Sequence, residues 1–169
     1  MNAAQRLWWD QARSDLAVFV RLRRSGGVEE CHLLHYLQMA TEKLSKAYVW
    51  RSGKVPPKNH TGFVRFLKAL LDRKVSELER IARTLGFSRP QDLDRWVANI
   101  QTLAYALQNT APAEAQNGPN AEYPWPHEAP AHCPASHVFD LWNHLENTGQ
   151  GRKLMAFIQL AIDGFDAYA

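Results

Sequence analysis

Residues 36–60 read YLQMATEKLSKAYVWRSGKVPPKNH, and this stretch decides the predicted fold. Apolar residues recur in its first half at intervals of three and four, which predicts an amphipathic helix over about 29–51. Pro56 and Pro57 forbid continuation of that helix. The turn that follows is basic and ends in His60. The turn has two possible roles. It can simply reverse the chain, or it can in addition hold its cationic side chains around a bound anion.

The same helical spacing runs through the rest of the chain, without a strand pattern. It predicts helices over about 3–24, from residue 60 or 61 to 85, and from the Ser88–Gln91 capping box to about 109. The third of these segments is one long helix or two with a bend at 72–74. Residues 110–135 form a proline-rich loop, after which Ser136 is predicted to cap a short helix that precedes a last one. We expect one domain over 1–169, an all-α antiparallel up-and-down bundle of about five to six helices.

Composition indicates an ordinary soluble domain with a core of its own. The chain has 169 residues, of which 46% are hydrophobic and 22% are charged. No apolar run approaches the ~18 residues that span a bilayer, and the N-terminus lacks the apolar segment of a signal peptide. Cys31 and Cys133 do not make a disulfide scaffold and are expected to be free thiols. We therefore expect a cytoplasmic protein without membrane association.

The net charge of +3 conceals an asymmetry between the two halves of the chain. Residues 1–74 contain 14 Lys and Arg against 6 Asp and Glu, a balance of +8, whereas 75–169 contain 6 against 11, a balance of −5. A basic half can attract phosphates or an acidic partner. It can equally be neutralised by the acidic half within the fold, so the composition alone leaves both interpretations open.

Polar residues of the first two predicted helices suggest structural ion pairs. The set Gln38, Glu42, Ser45 and Lys46 reads as the polar flank of the second helix, with Glu42 and Lys46 one turn apart. Asp15 lies on the apolar side of the first helix, where a carboxylate needs a partner, and Lys43 or Lys46 is expected to provide it.

Several of these motifs together resemble the HEPN domain family, the higher eukaryotes and prokaryotes nucleotide-binding domain. The resemblance lies in the AxxDL run at 12–16, the QxxxEKLxKA run at 38–47, the PPKNH turn at 56–60 and EYPW at 122–125. It implies a helical bundle that is often a homodimer. It also implies roles in prokaryotic stress and defence, in toxin–antitoxin pairs, beside a nucleotidyltransferase or antitoxin partner, or in RNA cleavage.

Nuclease members of that family carry an Arg, four to six residues and then a His, and no pair in this chain has that spacing. The leading prediction is therefore a binding module for RNA, another nucleic acid or a nucleotide. Its ligand-binding residues would lie at the basic turn and along the helix that opens near His60, whose free N–H groups suit a phosphate. They are Lys54, Lys58, His60, Arg65 and Lys68.

Two alternatives stay open for function. A divergent, metal-independent ribonuclease would use His60 as the acid or base, with Lys54 or Arg51 as the cation for the phosphate. A purely structural partner subunit of a nucleotidyltransferase would have no ligand.

Two clusters of Cys and His are candidate metal sites. The first consists of Cys31, His32 and His35, and the second is the HEAPAHCPASH segment with His127, His132, Cys133 and His137. Their spacings match no standard zinc motif, so we predict no metal and no cofactor. Aromatic and apolar residues outside the main stripes of the first two helices predict a homodimer interface. They are Trp9, Val18, Leu22 and Trp50.

Overall fold

The structure is a computed structural model that describes residues 1–51, 53–126 and 129–169. Within this part of the chain the helical spacing of the sequence becomes eight α-helices, and no β-strand occurs. The helices are α1 (Ala3–Ser25), α2 (Glu30–Trp50), α3 (Phe63–Leu71), α4 (Val75–Thr84), α5 (Pro90–Gln108), α6 (Pro112–Ala115), α7 (Asp140–Asn147) and α8 (Gly149–Asp163). The predicted all-α class is confirmed, with more helices than the five or six expected.

Helices α1 and α2 form an antiparallel pair. Asn2 caps α1 because its Oδ1 accepts the Gln5 N–H at 2.9 Å while its own N–H donates to Gln5 Oε1 at 3.0 Å. The same Asn2 side chain donates to the Trp50 carbonyl at 3.0 Å, which joins the start of α1 to the end of α2. Gly26, with φ at 68°, takes the left-handed conformation that lets the chain leave α1 and turn back.

Helix α2 is the central helix, and α1, α3 and α5 all pack against it. Leu34, Leu37 and Leu44 on α2 have no exposed surface. Helix α8 closes the bundle against α1, where Trp9 Nε1 donates to the Ile162 carbonyl at 2.8 Å. At the other end of α1 the Arg23 guanidinium contacts the carboxylate of Glu146, on α7 just before α8 begins, at 2.6 Å. Arg23 also lies near Arg152 in the first turn of α8, so α1 and α8 are antiparallel as well.

The long third helical segment proves to be two helices, α3 and α4, separated at 72–74. Arg73 lies at the break and explains it. Its guanidinium donates to the Tyr168 carbonyl at 2.9 Å, to Tyr48 Oη at 3.1 Å and to Glu77 Oε2 at 3.4 Å. One side chain thus joins α2, the start of α4 and the C-terminal segment, and the chain bends around it.

Two predicted helix caps are wrong. The Ser88–Gln91 capping box does not form, because the residue before α5 is Arg89, whose guanidinium instead contacts the Asp92 carboxylate at 2.9 and 3.0 Å. Ser136 does not cap the next helix either. It lies in a short 3₁₀ turn, Pro134–Ser136, and α7 begins only at Asp140.

The proline-rich segment packs on the bundle instead of leaving it. Asn120 is buried, and its Oδ1 accepts the N–H groups of Glu122 and Tyr123 at 3.0 and 2.8 Å. Trp125 is only 4% exposed and lies beside Phe139. Within the described residues, no helix is both long enough and apolar enough to cross a lipid bilayer.

Candidate functional site

Helix α2 buries polar side chains as well as apolar ones. Thr41 and Ser45 satisfy their hydroxyls within the helix by donating to the carbonyls of Gln38 and Thr41, at 2.8 and 2.7 Å. Gln38, Glu42 and Lys43 are also buried. The predicted polar flank over 38–46 is therefore largely buried, and the predicted pair of Glu42 with Lys46 forms within it. Because α2 is surrounded by other elements, its polar face has become interior.

Glu42 lies at the centre of this buried polar face and is only 4% exposed. Its Oε1 accepts from Lys46 Nζ at 2.5 Å, and its Oε2 lies 2.6 Å from His60 Nδ1 and 3.4 Å from Gln38 Nε2. Burial alone raises the pKa of this carboxyl, but Lys46, Lys43 and His60 together outweigh burial, so the pKa lies below its ordinary value. Glu42 is therefore ionised at neutral pH.

The ionised carboxylate decides the state of the His60 ring. A carboxylate only accepts hydrogen bonds, so His60 Nδ1 carries the proton that faces Glu42. In the neutral ring Nε2 then holds the free lone pair. The side chain is 35% exposed. This arrangement resembles the pairs in which a carboxylate orients a histidine that accepts a proton from a substrate.

The backbone around His60 differs from the prediction. Helix α3 begins at Phe63, so His60 is not at a helix N-terminus. The N–H of His60 donates to Glu114 Oε1 at 3.4 Å, and the N–H of Val64 in the first turn of α3 donates to Gln108 Oε1 at 3.4 Å. Side chains of α5 and α6 thus occupy two of the N–H groups that were predicted to be free for a phosphate. Phosphate binding at this turn stays a prediction.

A cleft of about 230 Å³ opens between the end of α2, the basic turn and α3. Its walls are largely apolar and include Pro56, Pro57 and Phe66, with Asn59 and Gly62 beside them. Four cationic side chains and one carboxylate also line it: Lys46, Arg51, Lys54, Arg65 and Glu42. An apolar hollow with a few convergent polar groups is typical of a small-ligand site.

Three of these cations have no carboxylate partner among the described residues. Arg51 stacks its guanidinium carbon 4.0 Å from the centre of the Tyr48 ring. Arg65 donates to the Thr61 hydroxyl at 3.1 Å. Lys54 is exposed in the turn. Because Lys46 neutralises the acidic wall residue Glu42 and His60 donates a hydrogen bond to it, the cleft carries an unbalanced positive charge.

The predicted site residues divide into two groups. Arg51, Lys54 and Arg65 line the cleft. Lys58 and Lys68 are exposed but do not line it, and His60 reaches the cleft only through Glu42. Sequence reasoning missed Glu42 as the partner of His60, because 18 residues separate them. The available signal was the succession of polar residues on consecutive turns of an otherwise apolar helix.

The ion pair predicted for Asp15 does not form. Asp15 is buried, and its Oδ1 accepts from Gln11 Nε2 at 2.8 Å, while Oδ2 has no partner among the described residues. Lys43 Nζ lies 2.9 Å from Met39 Sδ and 4.0 Å from Glu42 Oε2. Burial lowers the pKa of Lys43, and the charges of Glu42 and Asp15 oppose that change. Asp15 therefore acts on Lys43 at a distance and not by contact.

The Cys and His clusters are dispersed over several environments. Cys31 is buried, and burial raises the pKa of its thiol, while Cys133 is exposed. His132 and His137 pack their rings around Trp125. Among the described residues, no three His, Cys, Asp or Glu side chains are arranged to hold a metal ion, and His127 lies outside those residues. The absence of metal and cofactor stays a prediction.

Comparisons with known proteins identify no relative of this chain. No protein-family model matches the chain. No curated protein and no solved structure is significantly similar to it. The case for function therefore depends on the cleft and the Glu42–His60 pair themselves.

The lowered pKa of Glu42 predicts how the stability of the folded protein depends on pH. A carboxyl whose pKa is lower in the folded state contributes stability above its unfolded value of about 4.3. That contribution is lost as the pH falls through the folded value. Glu42→Gln should lower the free energy of unfolding by about 3 kcal/mol at pH 7, because it removes the carboxylate that pairs with the partly buried Lys46 and lies near the buried Lys43. Its melting temperature should also decline less steeply than that of the wild type below pH 5.

The matched control is Glu79→Gln. Glu79 pairs with Arg83 at 3.6 Å, but its side chain is 51% exposed, so the change should shift the free energy of unfolding by less than about 1 kcal/mol. Thermal melts from pH 3 to 7 compare the three proteins. Parallel curves for the wild type and Glu42→Gln would contradict the burial of an ionised carboxylate.

Proposed function

We propose that this chain is a HEPN-like helical binding module whose ligand is a nucleic acid or a nucleotide, held at the cleft beside the basic turn. The proposed setting is prokaryotic stress response, defence or a toxin–antitoxin pair. The resemblance of 12–16, 38–47 and 56–60 to HEPN motifs supports the family and the setting. The cleft supports the ligand class.

One observation carries the proposal: an apolar hollow is bordered by three cations without carboxylate partners among the described residues. Arg51, Lys54 and Arg65 can contact phosphate oxygens, and an arginine does so with two parallel hydrogen bonds. The apolar walls at Pro56, Pro57 and Phe66 can receive the less polar part of the same ligand. A nucleotide unit combines these two chemistries in one molecule.

The homodimer and the nucleotidyltransferase or antitoxin partner belong to the same proposal. They rest on the resemblance to the HEPN family. The aromatic and apolar residues predicted to form the dimer interface give the homodimer weaker support. Trp9 donates to the Ile162 carbonyl, and Leu22 packs against the core of its own bundle. Sedimentation of the protein at micromolar concentration tests the dimer, and a single 19 kDa species would reject it.

The second candidate is a metal-independent ribonuclease, which the Glu42–His60 pair specifically favours. The free Nε2 of His60 would accept the proton of a ribose 2′-OH, while Glu42 holds the ring in the required tautomer. Arg51 or Lys54 would stabilise the negative charge that develops on the phosphate. The missing Arg-x4–6-His spacing counts against this candidate. Five residues separate Lys54 from His60, which fits the spacing, but lysine offers a point charge and not the two-donor fork of arginine.

Binding at the cleft should be electrostatic and should weaken steeply with salt. Lys54→Glu combined with Arg65→Glu should weaken binding of a single-stranded RNA of about 20 nucleotides at least tenfold in low salt, and should flatten its salt dependence. Both side chains are exposed, so the bundle should remain folded. Fluorescence anisotropy over a salt titration measures both effects.

The control reverses two exposed cations elsewhere, with Lys74→Glu and Arg80→Glu. It makes the same change in net charge, and neither residue lines the cleft. Equal losses in the two double variants would mean that only overall charge matters. No binding by the wild type at low salt would reject a nucleic-acid ligand.

His60→Ala separates the binding module from the ribonuclease. For a binding module the wild type does not cleave RNA, and His60→Ala binds it within about twofold of the wild type, because counterion release by the cations dominates affinity. His32→Ala is the control, since that histidine side chain is 57% exposed and lies outside the cleft. Cleavage by the wild type and by His32→Ala, but not by His60→Ala, would establish the ribonuclease instead.

A further inference from the structure

Helices α1 and α8 leave a groove between them that shares no residue with the cleft. Two adjoining hollows of about 430 and 550 Å³ make up this groove, and both are lined by Leu16, Val20, Arg24 and Gln159. We call it the α1–α8 groove. It lies along the second half of α1, which the proposed function does not use.

The floor of the α1–α8 groove is partly aliphatic. Leu16, Met155 and Ile162 form its buried base, and Ala17, Val20 and Ala156 leave apolar surface open. Among the described residues, the one aromatic ring in its lining is Phe19, which is 2% exposed and packs edge-on against Trp142. These residues therefore offer no open ring face of the kind on which bases of single-stranded nucleic acids stack.

The rim of the groove is rich in arginine. Arg23 and Arg152 are engaged by Glu146, through its carboxylate at 2.6 Å and its carbonyl at 3.1 Å respectively. Arg13, Arg21 and Arg24 are exposed, and none of them contacts a carboxylate among the described residues.

Acidic groups do little to balance this rim. Among the described residues, the one carboxylate in the lining is Asp163, whose Oδ2 accepts from Gln159 Nε2 at 2.9 Å. Arg13 lies with its guanidinium carbon 4.7 Å from the centre of the Trp9 ring, a contact that orders the side chain and leaves its charge unpaired.

From this surface we infer that the α1–α8 groove docks an amphipathic helix of another protein, whose apolar stripe is flanked by Asp and Glu. Apolar side chains of that helix fill the aliphatic floor, as in other complexes where a helix lies in a groove. Its carboxylates pair with Arg13, Arg21 and Arg24, since guanidinium matches a carboxylate with two parallel hydrogen bonds. This inference concerns a second surface and does not depend on the proposed function.

The length of the groove sets the size of the partner helix. Arg13 and Arg24 are eleven residues apart on α1, which corresponds to about 16 Å at 1.5 Å per residue. Three turns of a partner helix cover this distance. Carboxylates placed on successive turns then reach arginines at both ends of the groove.

A display library of helical peptides of about 14 residues tests the docking directly. Every member carries leucines on one face, and the flanking positions vary among Asp, Glu, Lys, Arg and Ser. Selection on the wild-type protein should enrich Asp and Glu at the flanks over Lys and Arg. The selected peptide should bind Arg13→Glu with Arg24→Glu at least about tenfold more weakly than the wild type. It should bind the Lys74→Glu, Arg80→Glu control like the wild type.

Several results would overturn the inference. They are selection without acidic enrichment, a selected peptide that binds the Arg13→Glu, Arg24→Glu variant unchanged, and a single-stranded oligonucleotide that displaces the peptide. A wild-type dimer that this variant abolishes in sedimentation would assign the groove to a second copy of the chain instead. Should the charge reversal unfold the protein, as judged by circular dichroism, Arg13→Gln with Arg24→Gln replaces it, and unchanged peptide affinity would again overturn the inference.

Discussion

The carboxylate of Glu42, buried on the central helix, is the constraint on which the functional surface depends. A charge removed from water must be matched by partners close to it. Lys46, one turn further along α2, places its Nζ 2.5 Å from Glu42 Oε1. His60, at the end of the basic turn, places its Nδ1 2.6 Å from Glu42 Oε2. The second contact holds the end of the turn against α2. The cations before and after His60, namely Arg51, Lys54 and Arg65, lie around one cleft beside this contact.

Neutralisation of Glu42 by its own neighbours also explains why the cleft is positive. Had Arg51 or Lys54 been needed to compensate that carboxylate, neither would face a ligand. The charge asymmetry of the sequence can now be interpreted as well. Among the described residues, two ion pairs join a lysine or arginine of the basic half to a carboxylate of the acidic half, Arg23 with Glu146 and Arg73 with Glu77. The acidic half therefore neutralises little of the basic half by contact, and the cleft and the α1–α8 groove hold much of the surplus.

Sequence reasoning predicted what depends on local chemistry. Helical spacing located α1, α2 and α5 to within a few residues, and Pro56 and Pro57 correctly placed the end of α2. Local patterns left open what long-range contacts decide: the sequence allowed one long third helix or two helices with a bend at 72–74. The break between α3 and α4 depends on Arg73 reaching the Tyr48 hydroxyl and the Tyr168 carbonyl, which are distant in sequence.

The candidate site shows the same limit. Arg51, Lys54 and Arg65 were identified from charge alone, and they do line the cleft. The role of Glu42 was missed, because whether a polar face of a helix is exposed depends on which elements cover it. The start of α3 was misplaced for a related reason: the donors near His60 are satisfied by Glu114 and Gln108, from helices that come much later in the chain.

Chemical-shift mapping by NMR tests the central claim most directly. Single-stranded RNA would be added at low salt to isotope-labelled protein, and the amide and side-chain shifts followed along the chain. The account predicts that the largest changes fall on Arg51, Lys54 and Arg65 and on the His60 ring. Shifts confined to the arginines of the α1–α8 groove, or no shifts at all, would contradict it.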